Sequence, residues 1–135
     1  MAELIMKDEL KKRGLADKYD VASSATSAEE LGNPVYPPAV AVLLSHGISP
    51  FGKRARQLTF DDLCNYDIFI GMDSANIRNM KRILGEDAPI YKMMSFVGSN
   101  EDVADPWFVG GFDKTFEDLE RAIDALIPML ENDEI

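Results

Sequence analysis

Ile68-Phe69-Ile70-Gly71-Met72, running straight into Asp73-Ser74, is where the sequence commits itself to a fold. Five residues with no polar alternation make a strand covered on both faces, the habit of a parallel sheet. Asp73 and Ser74 are capping residues, and the helix they open runs through Leu84 to a stop at Gly85. Pro89-Ile90-Tyr91-Lys92-Met93 then reads as a second, weaker strand. Strand, helix and strand in succession predict an α/β sheet with right-handed crossovers.

Toward the N-terminus, Thr59 to Tyr66 reads as a short helix with acidic residues in its first turn. Pro38 suits the first turn of another, which continues over Ala39–His46 to a stop at Gly47. Gly32-Asn33-Pro34 and Pro37-Pro38 mark Thr26 to Pro37 as loop. Tyr19 to Ala25 is short, small-residued and strand-like, and Met1 to Arg13 is an amphipathic helix with Leu4, Ile5, Met6 and Leu10 on its apolar side. Toward the C-terminus, Phe116, Leu119, Ile123, Leu126 and Leu130 recur at steps of three and four, predicting a long helix. Thr115 and Asp118 resemble a capping box for it, and Pro128 is expected to kink or end it.

The chain has 135 residues, 46% of them apolar, with no repeat or linker, so residues 1–135 are expected to form one domain. A net charge of −10 argues against nucleic-acid and anionic-membrane partners, which reward basic surfaces. No apolar run approaches membrane-spanning length and the first residues do not read as a signal peptide, which points to a cytoplasmic protein. One cysteine, Cys64, excludes an internal disulfide and fits a reducing compartment. With one histidine besides, no zinc cluster and no other metal or cofactor is expected. Cys64 is read as a buried or half-buried structural thiol. His46 is read as packed, or as satisfying a helix dipole.

Chemistry concentrates in Glu101-Asp102-Val103-Ala104-Asp105-Pro106-Trp107-Phe108-Val109-Gly110-Gly111. Proline holds Asp105 in an extended or turn conformation, Trp107 and Phe108 can exclude water, and Glu101 and Asp102 add like charge. Both effects favour a protonated carboxyl, as a general acid requires. The plainer reading is a surface Asp-Pro turn. Functional loops of α/β sheets gather at the carboxyl ends of strands, where Ser23-Ser24, Met72-Asp73 and the segment leading to Asp105 are all expected. For Ser23 and Asp73 the plainer roles are backbone satisfaction and helix capping.

Pieces spread in order along nearly the whole chain resemble the low-molecular-weight protein tyrosine phosphatases. They are Met1-Ala2-Glu3, Ser23-Ser24-Ala25-Thr26-Ser27, Gly32-Asn33-Pro34, His46-Gly47-Ile48, Ala55-Arg56-Gln57-Leu58-Thr59, Met72-Asp73 with Asn76, and Asp105-Pro106-Trp107-Phe108. The resemblance implies a three-layer α/β sandwich, its small sheet of four parallel strands flanked by helices. It implies hydrolysis of a phosphotyrosine protein or a small aryl phosphate through a phosphocysteine, without metal. By that resemblance Asp105 is the general acid and base, and Trp107 and Phe108 form the substrate rim, where relatives commonly have two tyrosines. Ser23 and Asp73 would support the nucleophile loop. Asp73 would pair with Lys53 where relatives use histidine, and Glu29 stands where many place a large aromatic.

The family's nucleophile belongs to a Cys-x5-Arg-Ser loop after the first strand, just before the Met-Ala-Glu at which this sequence starts. No such loop occurs in these residues, because the position six after Cys64 is Ile70. A general acid contributes about 10²–10⁴ in rate, whereas losing a covalent nucleophile costs about 10⁶ in a well-studied hydrolase. The expectation is therefore an N-terminally truncated phosphatase domain, inactive alone, whose absent first strand leaves a gap inside the sheet: the sheet closes up, another chain such as a second copy donates a strand, or the fragment is destabilised. The alternative is a non-catalytic relative that binds a protein partner. An arsenate reductase on the same fold would need further cysteines.

Overall fold

The structure, a computed structural model, describes residues 1–26, 37–50, 56–103 and 111–135, the side chains of 37 and 38 excepted. Among the described residues the elements follow in the order α1 (Ala2–Lys12), α2 (Pro37–Ser45), β1 (Phe69–Gly71), α3 (Ser74–Leu84), β2 (Ile90–Lys92) and α4 (Phe112–Glu131). Two 3-10 helices, Phe60–Cys64 and Met93–Val97, precede β1 and follow β2. The strands are parallel, with Phe69 opposite Ile90 and Gly71 opposite Lys92. This is the expected α/β class, with a small parallel sheet among helices.

Alternation along the strands sorts the core into two clusters. Ile70, Met72 and Tyr91 turn toward the large cluster, where Ile5, Met6 and Leu10 of α1 and Leu43 of α2 meet the apolar stripe of α4. Phe69 and Ile90 turn the other way, onto Met80 and Leu84 of α3. Phe116, Leu119, Ala122, Ile123, Leu126 and Ile127 are almost fully buried, so α4 supplies much of the larger cluster. Burying each larger side chain is worth about 1.5–3 kcal/mol. The layer of α3 comes very close to β1: a Cβ at Gly71 would lie 2.8 Å from Cδ1 of Ile77 and 3.0 Å from Sδ of Met80.

Several local expectations are corrected. Tyr19 to Ala25 is not a strand; a single parallel bridge, Ala25 to Gln57, is all the pairing it makes among the described residues. Ala25 donates to the Arg56 carbonyl at 2.7 Å and accepts from the Leu58 amide at 2.7 Å. A segment of small residues has little side-chain surface with which to hold a longer ladder. Thr59 to Tyr66 contracts to a five-residue 3-10 helix, too short to repay α-helix nucleation. Its Cys64 is exposed rather than buried, because the buried side chain of that turn is Asp62.

The helix α4 begins three residues before the Thr115–Asp118 pair, which therefore lies inside it, and Asp118 binds Lys114 at 2.7 Å. Pro128 does not end α4 early: the helix continues to Glu131, and the Asn132 amide donates to the Pro128 carbonyl at 3.0 Å. The missing proline donor falls near the last turn, where it leaves the helix little to lose. At the end of α2, Gly47 has φ +76, and Ile48 donates back to Leu43 at 2.9 Å in a Schellman closure. That closure leaves His46 stacked on Phe116 of α4, with ring centroids 3.8 Å apart, as the packed reading expects.

Candidate active site

Asp73 sits where β1 ends and α3 begins. Its Oδ1 accepts from the Asn76 amide at 2.7 Å, and Oδ1 of Asn76 accepts from the Met72 amide at 3.1 Å. The pair closes a reciprocal cap and satisfies amides that a helix start and a strand end would otherwise leave open. For Asp73 the capping role is thus present in the structure. Lys53, its expected partner, lies outside the described residues, as does Glu29.

The segment leading to Asp105 is fastened to the same junction. The Val103 amide donates to the Met72 carbonyl at 2.9 Å, and Oδ1 of Asp102 accepts from the Ser74 amide at 3.1 Å and from its hydroxyl at 3.3 Å. Lys92, at the end of β2, reaches Asp102 at 2.6 Å and the Asn100 carbonyl at 2.6 Å. The carboxyl ends of both strands and the N-terminus of α3 are therefore joined through Asp102. Asp105, Trp107 and Phe108 lie outside the described residues.

Asp102 was expected to act as like charge on Asp105. Instead the ammonium of Lys92, hydrogen-bonded to it, holds its carboxyl below the usual range, with the Ser74 amide assisting. Its charge is committed to that pair and to the start of α3. The pairing spans 28 residues for Ser74 and 10 for Lys92 (102 less 74 and 92), and no periodicity in the sequence announces it.

Ser23 is half-buried, two residues before the bridge to Gln57. Among the described residues no hydrogen bond joins it to the Asp73–Asp102 junction. The segment it pairs with is held by Arg56, whose guanidinium donates to Asp62 at 3.1 Å. The Thr59 amide, donating to Asp62 at 2.9 Å, holds the Asp62 carboxyl below its usual range, and Arg56 lowers it further. Among the described residues no group of three His, Cys, Asp or Glu side chains could hold a metal ion, and no helix is long and apolar enough to cross a membrane.

A parallel sheet between helices, with polar groups tied together at the carboxyl ends of its strands, defines the α/β class, in which functional loops gather at those ends. Residues 1–134 match the low molecular weight phosphotyrosine protein phosphatase family. The chain belongs to that family. It is 31% identical to the low molecular weight protein-tyrosine-phosphatase PtpA of Staphylococcus epidermidis over 135 residues, covering 98% of this chain and 86% of that protein. It is 28% identical to YfkJ of Bacillus subtilis, of the same description, covering 98% and 88%. The crystal structure of YfkJ superposes with a TM-score of 0.91 over 99% of this chain and 87% of that one. A protein tyrosine phosphatase of Entamoeba histolytica, with Hepes in its active site, superposes at 0.88 and 26% identity, covering 99% and 89%.

Proposed function

We propose that these residues form one domain of a protein tyrosine phosphatase, carrying the general acid, the substrate rim and the supports of a phosphate-binding loop. Asp105 would protonate the departing phenol oxygen as the P–O bond breaks, then take a proton from the water that cleaves the phosphocysteine. Trp107 and Phe108 would stack on the substrate ring, and Ser23 and Asp73 would brace the loop. The substrates would be phosphotyrosine proteins and small aryl phosphates, handled without metal or cofactor in the reducing cytoplasm that a thiolate nucleophile suits.

The observation that carries this reading is the fastening of residues 102 and 103, three and two before Asp105, to the junction between β1 and α3, in a chain matched to the family from residue 1 to 134. The sequence holds no Cys-x5-Arg, so the thiolate and the phosphate cradle would have to come from outside these 135 residues. The chain by itself is therefore inactive. The test is p-nitrophenyl phosphate hydrolysis by the 135-residue chain: no turnover above buffer is expected. Turnover that disappears in Asp105→Asn would overturn the assignment of the nucleophile to residues outside the chain.

A further inference from the structure

Against a net charge of −10, one cavity is lined by three cations, Arg78, Lys81 and Lys92, and, among the described residues, by no acid. Ser74, Ile77, Arg78 and Lys81 form a single stripe of α3, at helical steps of three, one and three. They face Ile90 and Lys92, alternate residues of β2, across an open cavity of about 340 Å³. Ile77 and Ile90 are its apolar lining residues and the three cations its charged ones. Lys92 is committed to Asp102 and Asn100. Arg78 and Lys81 are exposed, and neither makes an ion pair among the described residues.

One end of this groove is Ser74, whose amide and hydroxyl hold Asp102, so the groove starts where the segment toward Asp105 is fastened. From Ser74 to Lys81 the helix rises about 10 Å, the length of about three extended residues. A short acidic segment fits this outline: carboxylates to Arg78 and Lys81, aliphatic stems on the isoleucines. Long-range repulsion from the rest of the chain would deter other anions that cannot use both features.

We infer that the groove between α3 and β2 docks an acidic stretch of the substrate protein beside its phosphotyrosine. This rests on the phosphatase reading for the identity of the partner, but the groove itself can be tested without catalysis.

The probe is a fluorescein-labelled, unphosphorylated decapeptide with four glutamates beside a tyrosine, titrated with the 135-residue chain at low salt and followed by anisotropy. Saturable binding is expected, weakening as salt is raised and falling at least about tenfold in R78E/K81E and less in R78Q/K81Q. Lys12→Glu, on α1, serves as the control for overall charge and should cost less than threefold. No binding, equal binding by R78E/K81E, equal binding of the peptide with glutamines for glutamates, or equal competition by a ten-nucleotide oligothymidylate would each overturn the inference. In a chain extended with the nucleophile loop, R78E/K81E should raise KM for an acidic phosphotyrosine peptide while leaving kcat, and p-nitrophenyl phosphate turnover, unchanged. If the extended chain proves inactive yet the decapeptide still binds, the phosphatase reading fails and the groove stands.

Discussion

Replacing Asp73 separates its capping role from a role in charge alone. The carboxylate accepts one short hydrogen bond from the Asn76 amide, and Asn76 returns one to the Met72 amide, so Asp73→Ala opens one half of a reciprocal closure. An N-cap replaced by alanine costs about 0.5–2 kcal/mol, and the carboxylate's interaction with the helix dipole adds about 0.3–1 kcal/mol. Asp102 also accepts from the first amide of α3 and retains part of that second contribution. Asp73→Ala should therefore cost about 1–2 kcal/mol, and Asp73→Asn, which keeps an acceptor oxygen, less than about 1 kcal/mol. With a urea slope of about 2 kcal/mol/M, the midpoint falls by about 0.5–1 M for alanine and by less than about 0.5 M for asparagine. Equilibrium urea unfolding followed by circular dichroism measures both. An unchanged midpoint for alanine, or an equal loss for asparagine, would refute the hydrogen-bonded cap.

Three other perturbations probe the frame around the site. Phe116→Ala removes a ring that is 2% exposed and stacked under His46, and should cost about 3–5 kcal/mol, lowering Tm by about 10 °C or more; a drop below 4 °C would contradict its place in the core. Asp62 has a folded-state pKa held below its ordinary 3.8, so its contribution to stability is present above that pH and is lost as pH falls through the lower folded value. Asp62→Asn should thus lower stability at pH 7 and flatten its decline below pH 4, read from urea midpoints at several pH values; an unaltered acid limb would show that Asp62 is not responsible. Asp102→Ala should speed hydrogen exchange at the Val103 amide at least tenfold with a Tm change under 3 °C, and protection equal to the parent's would show that the Met72 carbonyl alone holds that segment.

Legibility followed how local each determinant is. The apolar run at Ile68–Met72, the cap at Asp73, the stop at Gly85 and the stripe of α4 are written in consecutive or periodic residues, and the structure has them in place. Tyr19–Ala25 failed because a strand exists only with its partner, and its composition says nothing of how far the pairing extends. Thr115 and Asp118 carry the signature of a helix start, yet Phe112, Asp113 and Lys114 extend the same helix backward from a glycine cap. Cys64 reads as buried or half-buried because free cysteines usually are, whereas that turn buries a carboxylate paired with Arg56 and leaves the thiol exposed. The 3-10 helix Met93–Val97, with three buried side chains under α4, ends on a left-handed cap at Gly98, but its five residues are too few to show a helical period. At the candidate site, Asp73 was legible as a capping residue, while the Lys92–Asp102–Ser74 junction was not, since its members come from three separated segments.

The central proposal is that Asp105 would act as general acid to a thiolate and an anion cradle that these 135 residues do not supply. It is tested most directly by p-nitrophenyl phosphate turnover of the chain extended at its N-terminus with a family Cys-x5-Arg-Ser strand and loop. The account predicts activity at mildly acidic pH, abolished by Cys→Ser in the added loop and reduced about 10²–10⁴-fold by Asp105→Asn. A well-folded extended chain that stays inactive, or one whose rate is indifferent to Asp105→Asn, would contradict it.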